Sequence, residues 1–105
     1  MLGGYGHEFE RRARVLLSQN PALRHEWRSF PSRFFGDRLD LVMIPPSATA
    51  PEVWATLYNS QITIGAGSED RDFESWGRQM SDDQVGEEAF AAFVELLTEH
   101  GYLPR

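Results

Sequence analysis

The stretch EVWATLYNSQITIGA, Glu52–Ala66, decides how this chain folds. From Glu52 to Tyr58 the residues alternate. Val53, Ala55 and Leu57 fall on one side of an extended chain, and Trp54, Thr56 and Tyr58 on the other. Successive strand side chains point to opposite faces, so the run predicts a strand with one core face. Gln61 to Ala66 has the same β-branched character. Only Asn59-Ser60 separates the two runs, and a connection that short predicts an antiparallel hairpin.

Upstream of this hairpin, Arg38 to Ile44 is another apolar, β-branched run, stopped by Pro45-Pro46. His25 to Phe30 predicts a strand broken by Pro31. Tyr5 to Gln19 predicts a helix, because Tyr5, Phe9, Ala13, Leu16 and Leu17 share one face of a 3.6-residue period. Glu8 and Glu10 precede Arg11, Arg12 and Arg14, the order a helix dipole prefers. Asn20-Pro21 ends the helix.

Downstream, Gly65, Gly67 and the acids after them predict a long loop over Glu69 to Glu74. Ser81-Asp82-Asp83-Gln84 then reads as a capping box, with Met80 and Val85 at the positions of a hydrophobic staple. Ala89, Phe90, Phe93, Val94 and Leu97 make the apolar stripe of the last helix. Gly101 suits the position just past its end, with Tyr102 close to Leu97. Gly86, inside this helix, disfavours it by up to about 1 kcal/mol.

The expected fold is one α+β domain over residues 1–105. Its N- and C-terminal helices lie on one face of a three- or four-stranded, mainly antiparallel meander, forming a two-layer sandwich. A chain of 105 residues is the size of one domain.

Composition narrows the function classes. There is no cysteine, which excludes disulfides, thiolate metal sites and cysteine nucleophiles. The N-terminus lacks the form of a signal peptide, and no apolar run approaches the roughly 20 residues of a membrane span. A cytoplasmic setting without a membrane partner is expected. Sixteen acids face ten basic residues, all of them arginine, and the net charge is −6. Between Glu69 and Glu88, eight acids and two arginines already account for −6, so the rest of the chain is neutral. A nucleic-acid-binding domain would carry a basic excess, so no nucleic-acid partner is expected.

The motifs of catalysis are missing. Gly65-Ala66-Gly67-Ser68 lacks the spacing of a phosphate loop, and Glu69-Asp70 beside it would repel phosphate. No Gly-x-Ser-x-Gly elbow surrounds any serine, and the carboxylates lack EF-hand spacing. His7, His25 and His100 are scattered, and only His7 and His100 would meet if the two helices lay side by side. A non-catalytic domain with no metal and no cofactor is expected.

Two surfaces remain as candidates for a protein partner. One is the acidic stretch Glu69, Asp70, Asp72 and Glu74, with Phe73 and Trp76 set among its charges. Those rings either anchor the loop to the core or join the acids in a patch for a basic partner. The other is the sheet face carrying Trp54 and Tyr58, which Asp40, Val42, Ile44, Gln61 and Thr63 would share. It is either exposed or covered by the segment holding Trp27, Phe34 and Phe35.

LDLVMI (Leu39–Ile44), QITIG (Gln61–Gly65), Asp72-Phe73-Glu74 and an Ala- and Phe-rich last helix together look like the small immunity proteins of bacterial polymorphic-toxin systems. The likeness covers roughly residues 38–103, in order and style. It implies a cytoplasmic inhibitor that binds one toxin domain, and acidity suits the basic nucleases common among such domains. Two other readings stand beside it. One is a small acidic dimer resembling secretion chaperones. The other is a small-molecule-binding domain with a deep cleft lined by Trp27, Arg28 and Trp76. The sequence leaves monomer or dimer open.

Overall fold

The computed structural model describes residues 4–31, 36–74 and 81–104. Its elements are α1 (Gly4–Gln19), β1 (His25–Phe30), β2 (Arg38–Met43), β3 (Val53–Leu57), β4 (Ile62–Ala66), β5 (Glu69–Phe73) and α2 (Asp82–Glu99). The strands form one sheet in the order β1-β2-β3-β4-β5, each antiparallel to its neighbour. The expected helix–meander–helix sandwich is therefore the fold. It has five strands where three or four were expected.

The additional strand is β5, which the sequence predicts as loop. Gly67-Ser68 makes a two-residue turn between the paired residues Ala66 and Glu69. Gly67 sits at φ +62°, a conformation that tight hairpin turns require and side chains resist. β5 forms because β4 offers it a backbone ladder, in spite of its own poor strand composition.

The alternation read in β3 holds. Val53, Ala55 and Leu57 are fully buried, while Trp54 and Thr56 are only partly so. The same face collects Leu41, Met43, Ile62, Ile64 and Phe73, and against it pack Phe9 and Ala13 of α1 and Ala89, Phe93 and Leu97 of α2. Phe9 meets Phe90 and Phe93 edge-on, at 5.8 and 5.3 Å between ring centres. Both helices thus cover one side of the sheet.

The helix ends are tied down locally. At α2, Ser81 Oγ accepts from Gln84 N–H at 3.2 Å and Gln84 Oε1 accepts from Ser81 N–H at 2.8 Å, the expected capping box. Beyond its last turn, Tyr102 N–H reaches Leu97 O and Gly101 N–H reaches Thr98 O, with Gly101 at φ +83°. The Tyr102 hydroxyl donates to Pro51 O at 2.7 Å and accepts from Val53 N–H at 3.3 Å. It therefore holds the end of the chain to the start of β3.

α1 departs from its dipole-based reading. No acid lies in its first turn. Instead Tyr5 and Gly6 donate their N–H groups to the carbonyls of Asn59 and Tyr58, at 3.0 and 3.1 Å. Glu8 is turned inward, 7% exposed, and is gripped by Arg11 and Arg12 at 2.7 Å each. The hydrogen bond from Arg11, followed by that from Arg12, lowers its pKa despite the opposing effect of burial. Gly86 explains itself here. A Cβ on it would stand 2.8 Å from Glu8 Cβ and 3.1 Å from Tyr5 O, so glycine lets the helices approach. Met80, proposed as part of a staple, lies outside the described residues, as do Phe34 and Phe35.

Candidate protein-binding surface

Because both helices take one face, the side chains that alternate away from the core lie on a face that no helix or strand covers among the described residues. The register assembles it in rows. Glu26, Val42, Trp54, Gly65 and Asp70 succeed one another across the sheet; so do Arg28, Asp40, Thr56, Thr63 and Asp72. The two candidate surfaces of the sequence reading therefore partly merge. Trp54 shares this face with Asp70 and Asp72, whereas the side-chain hydrogen bond between Tyr58 and Arg38 places Tyr58 beside the Arg38–Asp40 pair, at the other end of β3.

The β1–β2 half of the face satisfies its own charges. Arg38 grips Asp40 through two bonds, at 2.9 and 2.8 Å, and stacks over Phe30 with its guanidinium 4.8 Å from the ring centre. The Asp40 hydrogen bonds, with the Tyr58 contact as a lesser contribution, raise the Arg38 pKa further above its ordinary value. Arg28 pairs with Glu26 at 2.7 Å.

The β4–β5 half is different. Asp70 and Asp72 are exposed and make no salt bridge with any described residue. The Thr63 hydroxyl donates to Asp72 at 2.6 Å. Between the halves lies Trp54, whose ring rests on Gly65. A Cβ there would come within 2.5 Å of the indole, and Trp54 Nε1–H donates to Gly67 O at 3.3 Å. The missing side chain of Gly65 is the seat of the ring.

Other proposed residues fall elsewhere. Phe73 is 4% exposed and belongs to the core, so of the two readings of that ring the anchoring one describes its position. Glu69 alternates with Asp70 and lies on the helix side of the edge strand. Glu74, just beyond β5, is exposed. Trp76 lies outside the described residues. Trp27 and Arg28 are successive residues of β1 and point to opposite faces. Trp27 faces the helices, where Arg14 stacks on it at 4.2 Å, so these two cannot line one cleft. Nor does Trp27 cover the open face.

The sequence reading overlooked Phe30, 45% exposed on the open face, and the Arg38–Asp40 pair beside it. A signal was available, since both belong to the alternation of their strands. His7 and His100 stay apart. α1 starts beside Asn59, at the far end of β3, whereas α2 ends beside Val53 at its start. Among the described residues no group of three or more metal-ligating side chains converges, and no helix is long and apolar enough to cross a membrane.

Comparisons with protein-family models, with curated protein sequences and with solved structures find no match to this chain.

Proposed function

We propose that this domain is a non-catalytic protein-binding module that receives a basic protein on its open sheet face, with Trp54 and Tyr58 as the apolar anchors and Asp70, Asp72 and Glu74 as the charged flank. The observation that carries this reading is one sheet face, uncovered among the described residues, on which a half-buried indole stands in the row of Asp70 and next to that of Asp72, carboxylates that pair with no described base, with the Tyr58 ring at the opposite end of β3. Aromatic side chains supply contact energy when a partner desolvates them, and uncompensated acids speed the encounter with a cation-rich surface. The pairs Arg38–Asp40 and Arg28–Glu26 leave the β1 half near neutral, so the pull on a partner is concentrated toward β5. Through the sequence likeness given above, the more specific proposal is an immunity protein that neutralises a basic toxin domain.

The test is affinity capture with wild-type protein and with Asp70→Lys/Asp72→Lys, each at low and high salt. A partner of this surface is expected on the wild type at low salt, and to be lost from the variant and at high salt. Circular dichroism should show both baits folded. Identical capture by the two baits would overturn this assignment of the surface.

A further inference from the structure

The edge strand β5 has a second side. There, between the first half of β5 and the last half of α2, runs a groove of about 260 Å3. Its floor is apolar and low: Ala66, Ala92 and Leu96 are half-buried at the rim of the core. Its walls are mostly acidic: Glu69 and Asp70 on β5 and Glu95 and Glu99 on α2, with His100 just past the helix end. Arg71 also lines it, but its guanidinium is folded over the Phe73 ring, 4.6 Å from the ring centre. Because β5 ends the sheet, its outward backbone groups have no strand partner among the described residues.

Acids on an edge strand have an ordinary explanation, since charge discourages edge-to-edge aggregation. That does not account for the helix wall. The C-terminal end of a helix carries negative partial charge and favours bases, yet the last turn of α2 holds no base and ends in Glu99. Glu95 and Glu99, one turn apart, add like charges to that end. Four acids against Arg71 and His100 leave the groove with an excess of negative charge that a cation from outside would offset.

From this we infer that β5 and the α2 groove take up an extended basic segment of a partner protein as a sixth strand. The inference rests on the protein-binding reading above and adds the mode of binding. Backbone pairing along β5 supplies register. Side chains of the added strand alternate, so every second residue faces the groove. A lysine or arginine there lays its methylenes on Ala66, Ala92 and Leu96 and brings its charged head to Glu69, Glu95 and Glu99. The intervening residues emerge beside Asp70, on the open face.

The probe is a blocked decapeptide of alternating lysine and valine. It is measured by calorimetry against the same peptide with proline in place of valine, which keeps the charge and removes the pairing N–H groups. Binding of the lysine–valine peptide is expected, with affinity about tenfold weaker for the proline peptide and for the Glu95→Lys/Glu99→Lys protein. Lysine at those positions suits the helix end, so loss of binding in this variant is not loss of fold. Amides of β5 are expected to gain protection from hydrogen exchange. No binding, equal binding of the proline peptide, or full binding by the variant would each overturn the inference. Shifts confined to Trp54 and Tyr58 would overturn it too, while leaving the open-face reading intact. Groove binding with capture indifferent to Asp70→Lys/Asp72→Lys would sink the open-face reading alone.

Discussion

The same five strands present two faces built on opposite principles. Toward the helices, the alternating residues of the three central strands are apolar and mostly removed from water, and the buried carboxylate Glu8 of α1 is held by two arginines. Toward the other side, the β1–β3 residues find neighbours within the sheet itself: Arg38 with Asp40, Arg28 with Glu26, Trp54 on Gly65. The first face derives its stability from burial. The second is held mainly by pairing between neighbouring side chains, with Val42 and Asp40 alone of its side chains buried among those described. Toward β5, Asp70 and Asp72 form no ion pair with any described residue.

Substitutions of like kind on the two faces should separate these principles. The largest effect is expected for Phe93→Ala on the helix side. It removes a fully buried ring and destabilises by about 3–5 kcal/mol, a large share of a typical domain's total stability, measured by urea denaturation. A loss near zero would mean the helices are not what seals the core.

Next comes Gly65→Ala on the open face. Its Cβ would stand 2.5 Å from both the Trp54 ring and the Glu69 carbonyl, so the ring must lift or β5 must shift, at about 1–3 kcal/mol in the same assay. Stability equal to wild type would show that Trp54 is not seated on that glycine.

Glu8→Gln tests the inward carboxylate through pH. The Arg11 hydrogen bond holds the folded pKa of Glu8 below the unfolded value near 4.5. Its stabilisation is therefore present above that value and lost as pH falls through the lower folded one. Thermal melts from about pH 7 to about pH 3 should show a smaller acid-induced drop in Tm for Glu8→Gln than for wild type. Equal drops would remove Glu8 from the account of acid sensitivity. The smallest effect is expected for Phe30→Ala, under about 1 kcal/mol, since 45% of that ring is already in water. A loss comparable to Phe93→Ala would mean that the two faces are not distinct.

What the sequence made legible followed from local periodicity and end signals. α1, the alternation of β3, the short hairpin turn, the box at Ser81 and the glycine stop at Gly101 each rest on residues near in sequence, and each is found in place. β5 was missed because EDRDF (Glu69–Phe73) has one apolar residue in five, and its strand state comes from pairing with β4. The Gly67-Ser68 turn that would have betrayed it was read as the opening of a loop. Tertiary placement also decided Phe73, Glu8 and Gly86. Nothing in their immediate neighbours distinguishes a ring that anchors from one that binds, a solvated acid from an enclosed one, or a weak helix position from a close helix crossing. The open face was half legible: Trp54 and Tyr58 follow from alternation, but their union with Asp70 and Asp72 depends on the strand that was missed.

The seat of Trp54 on Gly65 has one more consequence. Its indole is half-shielded by backbone, its N–H is engaged by Gly67, and it lies midway between the neutral and acidic halves of the face. Emission from that ring is thus a built-in optical gauge. A partner settling on the face strips water from the indole and moves its spectrum to the blue, a change that a Trp54→Phe protein, keeping Trp27 and Trp76, should lack.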